Sequence, residues 1–497
     1  MLFFVKSTYS EFKQCEKSSW LKEHSDEPYK KDSFTEAFEA EKSDIRGYVM
    51  KLFGDYVETV PPGGEKSPDP DETIERTAAY LAEGREVICG AAFSYDGFYC
   101  TVDVLKRTEG GYAVYDIKSD TIPDKYDNIL DISYKKHILE KCGISVVGAY
   151  IITVNDNYVF DGTLDVTKLF NVTDVSAFVK KGARGIESDL DRAKKVLAAS
   201  EPNTDLSRSC SNTKRCGYWH YCSRRLPNPS VFDLYQMPFK KAIGLYAKQT
   251  VSFTDVIKSG TRLNGNARRQ IEYELEDKGT YVNKPGIRAF LKTLSFPLYF
   301  IDFEAARPAV PLYPGTRPYQ TVPVQFSLHV IDAPGADVKH IEYLGRPECD
   351  PRREFAERLV AAIPEGACIL AYNKTFEWTV VGELAAAFPD LADRLNSIKA
   401  GMKNLLDPFR EGYYYNKAMG GSFSIMSVLP AIYPNDDSLD YNSLALVTGR
   451  DAMELFAKLA SLPTKERKAA ELDILKHCEL DTFVLVKIYQ ELVRAAE

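Results

Sequence analysis

The run FPLYFIDFEAA, residues 296–306, constrains the fold more than any other stretch of this chain. Its apolar residues are nearly continuous, which predicts a strand buried inside an α/β domain. Asp302 and Glu304 nevertheless lie in its second half, and residues two apart in a strand project to the same face. Two like charges are unfavourable in a protein interior unless a cation joins them. The run therefore predicts a metal site at this strand.

The C-terminal region supplies further acids in a pattern with known relatives. His477 and Asp481 lie four residues apart in HCELDTFVLV, on one face of a long predicted helix. Glu377 lies on a second predicted helix, within AYNKTFEWTVVGEL. The set resembles the DnaQ-like (DEDD) exonucleases of the RNase H-like fold. The resemblance implies that Asp302, Glu304, Glu377 and Asp481 hold two metal ions and that His477 positions or deprotonates the attacking water. Glu377 stands where that family usually has aspartate.

A second group of charged residues lies in the N-terminal half. Residues 87–118 alternate as three strands separated by DG and GG turns, which predicts a meander. Asp116 and Lys118 share one strand face, and Asp103 reaches the same place if the strands pair through the EGG turn. Two carboxylates can hold Mg²⁺ or Mn²⁺, and a lysine beside them can orient a water. An exposed strand face with alternating charges is the alternative interpretation.

Cysteines form the third group. CSNTKRCGYWHYC spaces Cys210, Cys216 and Cys222 evenly, and ten cysteines in 497 residues are too few for a disulfide scaffold. Clustered thiolates bind an iron–sulfur cluster or zinc, and both accept four cysteine ligands. Cys15, in FKQCEKSSWL, is the candidate fourth ligand, and His220 is an alternative for zinc. Three independent buried thiols remain the simpler alternative.

Together, Cys15, the D…D-x-K strands and the late cysteines resemble the RecB-family PD-(D/E)xK nucleases over residues 1–225. The resemblance implies metal-binding and catalytic roles for Asp103, Asp116 and Lys118, and a 4Fe–4S cluster on the four cysteines, with zinc as the second candidate. Two residues depart from the family: Lys135 replaces a usual glutamine, and Gly90 a frequent acid. Almost the whole chain is also similar to a bacterial family of unknown function that joins a RecB-like half to a DnaQ-like half.

The expected architecture is therefore α/β (mixed α+β) in three parts. Residues 1–225 form a PD-(D/E)xK nuclease-like domain, 226–290 a helical basic bridge, and 291–497 an RNase H-like, DnaQ-type domain. The basic residues of the bridge predict a surface stripe that binds the phosphates of a nucleic-acid backbone. A solvated helix face is the alternative explanation of the same charges. The bases of the bridge are Lys240, Lys241, Lys248, Lys258, Arg262, Arg268 and Arg269, against the single acid Asp255 over residues 240–269.

Composition narrows the class of function. A net charge of −8 excludes a uniformly basic nucleic-acid coat protein, and no apolar stretch is long enough to cross a membrane. The start lacks a secretory signal, so a cytoplasmic location is expected. The sequence predicts a metal-dependent nuclease, most simply an exonuclease, that acts on DNA ends or single strands. The alternatives are a nucleic-acid-binding assembly factor with decayed nuclease sites, and an RNA-processing exonuclease. No protein partner is predicted.

Overall fold

The computed structural model of the chain describes residues 4–30, 45–60, 69–123, 125–182, 184–211 and 215–497. They divide into two compact units. The first unit contains Met1–Arg225 and Pro308–Gln320, and the second contains Leu226–Arg307 and Thr321–Glu497. Residues 226–290, predicted as a separate bridge, therefore cluster with the C-terminal part of the chain.

A seven-stranded sheet organises the first unit. Its path runs β2-β3-β4-β5-β6-β7, and β1 pairs in parallel with β4. The strands β3, β4 and β5 form an antiparallel meander, whereas β5 and β6 run parallel. The strands are β1 (Phe4–Val5), β2 (Val57–Glu58), β3 (Val87–Tyr95), β4 (Phe98–Thr108), β5 (Gly111–Ile117), β6 (Val146–Val154) and β7 (Phe170–Asp174).

One helix, α4, packs across the sheet of the first unit. Tyr134, Ile138 and Leu139 of α4 are fully buried in the same apolar cluster as residues of β3, β4 and β5. The same helix also buries Asp131 and Lys135, so its inner surface is not purely apolar. The helices of this unit are α1 (Lys6–Gln14), α2 (Glu16–His24), α3 (Pro70–Ala82), α4 (Tyr126–Lys141), α5 (Val166–Leu169), α6 (Ser176–Gly182), α7 (Ile186–Leu197) and α8 (Trp219–Cys222).

The second unit is built on a five-stranded mixed sheet in the order β11-β10-β9-β12-β13. The central strand β9 runs antiparallel to β10 and parallel to β12, and β12 runs parallel to β13. A separate two-stranded sheet pairs β8 with β14. The strands are β8 (Thr280–Val282), β9 (Leu298–Ala306), β10 (Val322–Ile331), β11 (Val338–Leu344), β12 (Cys368–Ala371), β13 (Met402–Asn404) and β14 (Tyr414–Asn416).

Helices cover both faces of this sheet. One face packs Ile301, Phe303 and Phe326 against α13, α14 and α15, and the other packs against the long helix α19, beside strands β9 and β10. The helices are α9 (Phe239–Tyr246), α10 (Phe253–Lys258), α11 (Gly265–Leu275), α12 (Lys284–Leu291), α13 (Arg352–Ala362), α14 (Thr375–Ala387), α15 (Ala392–Gly401), α16 (Asp407–Arg410), α17 (Ile425–Ile432), α18 (Gly449–Lys458) and α19 (Thr464–Ala496).

The class predicted from the sequence, mixed α and β, is confirmed. Within the described residues, none of the helices combines the length and the apolar character that a membrane crossing requires.

Candidate functional site

The face of β9 that turns towards α19 carries polar residues in an otherwise apolar strand. Asp302 lies opposite Ser327 of β10 and Glu304 lies opposite Gln325, so all four side chains project to this face. Gln325 donates a hydrogen bond to the Ile474 carbonyl oxygen of α19 at 3.1 Å. The predicted buried strand therefore exists, and its two acids lie at the boundary between the sheet and the C-terminal helix.

Helix α19 brings the predicted His477 and Asp481 to the same place. His477 Nε2 lies 3.9 Å from Glu304 Oε1 and 3.6 Å from Asp481 Oδ2. Glu304, His477 and Asp481 each offer a ligand atom within 4.8 Å of the others, which is close enough to share one metal ion. Three residues that lie up to 177 positions apart in sequence thus form one candidate metal centre.

The orientation of the histidine is fixed by its other nitrogen. His477 Nδ1 lies 3.2 Å from the carbonyl oxygen of Leu446, which can only accept a hydrogen bond. Nδ1 therefore carries the proton in neutral His477, and Nε2 presents a lone pair towards Glu304 and Asp481. That nitrogen is positioned to bind a metal ion or to accept a proton.

The acids of this site are held in an environment that opposes their charge. Burial, followed by the nearby charges of Asp481, Glu377 and Glu304, raises the pKa of Asp302 well above its ordinary value. Burial and Asp481 raise the pKa of Glu304 to about 8. Burial also raises the pKa of Asp481. Among the described residues, His477 is the one basic side chain in ion-pair contact with these acids. A bound cation would therefore relieve the repulsion between their charges.

Glu377, on α14, completes the predicted set. Its side chain is buried, and burial raises its pKa to about 7. Its Oε2 atom has no hydrogen-bond partner within the described part of the chain. Its charge also acts on Asp302, so Glu377 lies within electrostatic range of the site, although neither Glu377 nor Asp302 belongs to the group whose ligand atoms all lie within 4.8 Å of one another. A buried carboxylate oxygen without a hydrogen-bond partner fits the role of a metal ligand.

Three residues at this site were not identified from the sequence. Tyr441 donates a 2.7 Å hydrogen bond to Asp481 Oδ1, and its ring contacts His477 edge-on. Gly449 begins α18 so close to Glu304 that an added Cβ would force the carboxylate to move. Cys478 is buried beside Asp302, with its sulfur 3.9 Å from Oδ2. Tyr441 and Gly449 lie in a region without a recognisable motif, so no sequence signal indicated them.

In the first unit the structure also brings Asp103, Asp116 and Lys118 together, but in a different electrostatic setting. Asp103 Oδ2 accepts a hydrogen bond from the Ile117 amide at 2.8 Å. Asp116 forms ion pairs with Lys118, at 2.5 Å, and with Lys135 of α4. Asp131, one turn before Lys135 on α4, also pairs with Lys118. Two lysines therefore occupy the surroundings of the carboxylate that the sequence predicted as a metal ligand.

These lysines remain charged in spite of being buried. Burial lowers the pKa of Lys118 and Lys135, but Asp116 and Asp131 outweigh it, so the pKa of each lysine is raised above its ordinary value.

Gly90, where the family often has an acidic residue, has a left-handed backbone (φ +74°), and an added Cβ would lie 2.9 Å from Thr59 Oγ1. A larger residue, acidic or not, is therefore strained at this position.

The four predicted cluster cysteines lie within electrostatic range of one another. After burial and the opposing Lys17, the charges of Cys210, Cys216 and Cys15 contribute to raising the pKa of Cys222 to about 11. The Cys216 amide donates a 2.9 Å hydrogen bond to the Cys210 carbonyl oxygen. All four thiols are free, and their side chains are partly exposed. The fold thus brings Cys15 near Cys210, although the two are 195 positions apart in the sequence.

His220, the alternative zinc ligand, turns its ring elsewhere. Its Nδ1 lies 3.1 Å from the Gly217 carbonyl oxygen and its Nε2 lies 3.4 Å from Glu27. In this structure His220 is therefore engaged by Gly217 and Glu27 rather than by the cysteines.

Most of the predicted basic stripe is exposed. Lys240, Lys241, Lys248, Arg262 and Arg268 are solvent-exposed, as is Lys258. Arg269 is not: it donates a 2.9 Å hydrogen bond to the Gly412 carbonyl oxygen, and its guanidinium lies 3.8 Å from the Tyr281 ring centroid. Arg269 therefore has a structural role in the second unit.

A further group, His329, His340 and Glu479, lines a cavity of about 430 Å³. Burial, and then the charge of His340, lowers the pKa of His329 to about 4. The two imidazole rings are stacked, with centroids 4.6 Å apart and planes at 25°. Because nitrogen lone pairs lie in the ring plane, stacked rings do not direct them at one point. As arranged, this group packs rather than chelates.

Comparison with known proteins adds little on function. Residues 299–424, from β9 to the start of α17, match a domain of unknown function, DUF2779. No curated protein matches the chain. The matched region contains Asp302, Glu304 and Glu377 but stops before His477 and Asp481, so the candidate site extends beyond it.

Proposed function

We propose that this chain is a metal-dependent nuclease that hydrolyses phosphodiester bonds of DNA, and that cleavage takes place in the second unit. One observation carries the proposal: Asp302, Glu304, Glu377 and Asp481 converge from three elements, and their pKa values are all raised. Carboxyl groups with raised pKa values, two of them beside a histidine, are typical of a catalytic site. The sheet, with the acid-bearing strand central and antiparallel to the next strand, supports an RNase H-like, DnaQ-type domain.

The donor set suits Mg²⁺ or Mn²⁺, which prefer carboxylate oxygens. Asp302, Glu304, Glu377 and Asp481 would hold the ions. When bound, such ions lower the pKa of a coordinated water and stabilise the oxygen that leaves. The orphaned Oε2 atom of Glu377 supports this fit, because a bound cation would supply the partner it lacks.

The protein's own side chains perform the remaining steps. His477 Nε2 accepts the proton of the attacking water, because Nδ1 is already committed to the Leu446 carbonyl oxygen. The resulting imidazolium is stabilised by Glu304 and Asp481, which lie 3.9 and 3.6 Å from Nε2. Tyr441 fixes one oxygen of Asp481 through its hydroxyl and leaves the other directed at His477.

For the first unit, the proposal includes a nuclease-like fold and an iron–sulfur cluster. The antiparallel meander, the following helix α4 and the parallel strand β6 support a PD-(D/E)xK nuclease-like fold. Cys15, Cys210, Cys216 and Cys222 would hold a 4Fe–4S cluster, with zinc as the alternative occupant. Anaerobically purified protein should absorb broadly near 400 nm if the cluster is iron–sulfur. A colourless protein with one equivalent of zinc would assign the metal differently.

Nucleic acid is the proposed partner, and the exposed lysines of α9 and the residues that follow it supply cationic charge for its backbone. DNA single strands or ends are the proposed substrates. RNA of the same sequence is the comparison that discriminates an RNA-processing exonuclease.

The test uses labelled single-stranded DNA and Mn²⁺. Wild-type protein should shorten the DNA, and Asp302→Asn should reduce the rate at least about a hundredfold, because one charged ligand is lost. The matched control is Glu365→Gln, which removes an exposed loop carboxylate of the same unit and should leave the rate unchanged. Tight DNA binding with no cleavage of DNA or RNA by the wild type would replace the nuclease with a binding or assembly factor.

A further inference from the structure

The two candidate sites differ in how their acids are neutralised, and this difference bears on which of them can bind a metal. In the second unit, Glu304 and Asp481 lie beside His477, Asp302 and Glu377 lie within electrostatic range of this group, and no lysine or arginine among the described residues forms an ion pair with the four acids. In the first unit, Asp116 and Asp131 are each in ion-pair contact with lysine. The acids of the second unit therefore need a bound cation, whereas those of the first unit are already paired with the ammonium groups of lysines.

We infer that the ammonium group of Lys135 takes the place of the divalent ion in the first unit, so that Asp103 and Asp116 bind no catalytic metal. The inference rests on the proposed function, since it assigns all cleavage to the second unit.

The contacts of Lys135 make it a direct competitor for the metal. Its Nζ atom contacts Asp116 Oδ1, and Lys118 contacts the Oδ2 atom of the same carboxylate. Both oxygens of the predicted ligand are thus engaged by ammonium groups. Lys135 also lies 3.8 Å from Asp131 Oδ1 and within electrostatic range of Asp103. A divalent ion could enter only by displacing a lysine that three acids hold.

The charge balance leads to the same conclusion. Asp103, Asp116 and Asp131 carry three negative charges, and Lys118 and Lys135 return two of them. Arg46 lies within electrostatic range of both Asp103 and Glu58, and the charge of Glu58 offsets its own. One residual negative charge is too small a counter-charge for a divalent ion in a buried site. Replacing Lys135 by a neutral residue would leave two, which matches Mg²⁺ or Mn²⁺.

Burial removes the remaining route to catalysis. The side chain of Asp116 is 1% exposed and that of Lys135 is 5% exposed. By contrast, the side chains of Glu304 and Asp481 in the second unit are 14% and 23% exposed. A phosphodiester must approach a catalytic metal closely, and the buried pair of Asp116 and Lys135 is closed to such an approach, whereas Asp103 beside it is half-buried.

The experiment counts bound Mn²⁺ in the full chain by the loss of the free-ion signal in electron paramagnetic resonance. Asp302→Asn with Asp481→Asn provides a background in which the second unit has lost two ligands. Mn²⁺ favours oxygen over thiolate, so the cysteines do not interfere. This background should bind no Mn²⁺ at the first unit, and Lys135→Gln added to it should gain one equivalent. Lys136→Gln is the matched control, because that neighbouring lysine pairs with Glu140 at the surface, and it should gain none.

Two results would overturn the inference. The first is that the background variant binds one equivalent of Mn²⁺ and loses it when Asp116→Asn is added. The second is that Lys135→Gln folds in this background but binds no additional Mn²⁺. Circular dichroism establishes whether Lys135→Gln folds. If it does not, the background and its Asp116→Asn derivative decide the question alone. Because the readout is binding, it is separate from the cleavage assay: the nuclease proposal fails on absent cleavage, and this inference fails on Mn²⁺ bound at Asp116.

Discussion

Replacing Glu304 by glutamine should stabilise the metal-free second unit, although it removes a proposed metal ligand. The pKa of Glu304 is about 8 in the folded protein, against an ordinary value near 4.5. Between these values the folded state binds more protons than the unfolded state, so the free energy of unfolding falls as pH rises. The destabilisation from this one carboxyl is about 3 kcal/mol at pH 7 and about 1 kcal/mol at pH 5. Glu304→Gln removes it at every pH.

Thermal unfolding in excess EDTA measures the effect. For a unit of this size, about 3 kcal/mol corresponds to an increase in Tm of at least about 5 °C, and this increase should be present at pH 7 and mostly absent at pH 5. Excess Mn²⁺ should reverse the order, since it binds only the wild-type carboxylate set tightly. The exposed Glu365→Gln should shift Tm little at either pH. A variant that is less stable than wild type in EDTA at pH 7 would refute the premise that burial and Asp481 disfavour the charge of Glu304 in the folded state.

Four further outcomes are expected. Mn²⁺ affinity, measured by isothermal titration calorimetry, should rise by about tenfold or more from pH 6 to pH 8, because Glu304 and Glu377 release protons as the ion binds; a flat profile would contradict the raised pKa values. Tyr441→Phe should weaken Mn²⁺ binding by about tenfold, the equivalent of one hydrogen bond to a charged group, with the distant Tyr246→Phe as a control. Cys222→Ser should abolish absorption near 400 nm, whereas Cys349→Ser, an exposed cysteine in the second unit, should retain it. Alanine at Lys240, Lys241 and Lys248 should weaken DNA binding and lower its salt dependence by up to about 0.7 per lysine that contacts a phosphate of the single strand; an unchanged slope would exclude the stripe as the DNA-binding surface.

Local periodicity was sufficient to predict the strands and the long helix that carry the second site. The alternation around Asp302 and Glu304, and the four-residue spacing of His477 and Asp481, are short-range patterns that directly determine which side chains share a face. The structure accordingly places them together. Within residues 226–290, the strand β8 at Thr280–Val282 was not predicted; it pairs with β14, which lies more than 130 residues later. Such pairing has no local signal.

The rest of the sites depends on contacts between distant segments. Tyr441 reaches Asp481 from a 3₁₀ helix of only three residues, Tyr441–Ser443, which is too short to show a periodic pattern, so nothing in its neighbours indicates a role. Lys135 was noticed as a departure from a family pattern, yet its pairing with Asp116 depends on how α4 lies over the sheet, and Asp131 was not singled out at all. Charge compensation is a property of three-dimensional neighbourhoods, and sequence spacing alone does not determine it.

The membership of residues 308–320 in the first unit means that neither unit is a continuous piece of polypeptide. This excursion leaves after β9 and returns before β10. Within the first unit, Gly315 and Thr316 exchange backbone hydrogen bonds with Phe160, and Tyr319 donates to the Ser119 carbonyl oxygen at 2.5 Å. A fragment that starts at residue 226 would carry this peptide without its partners. The strand that holds Asp302 would then be followed by a loop that has lost its anchorage, so assigning a role to either unit requires point substitutions rather than truncation.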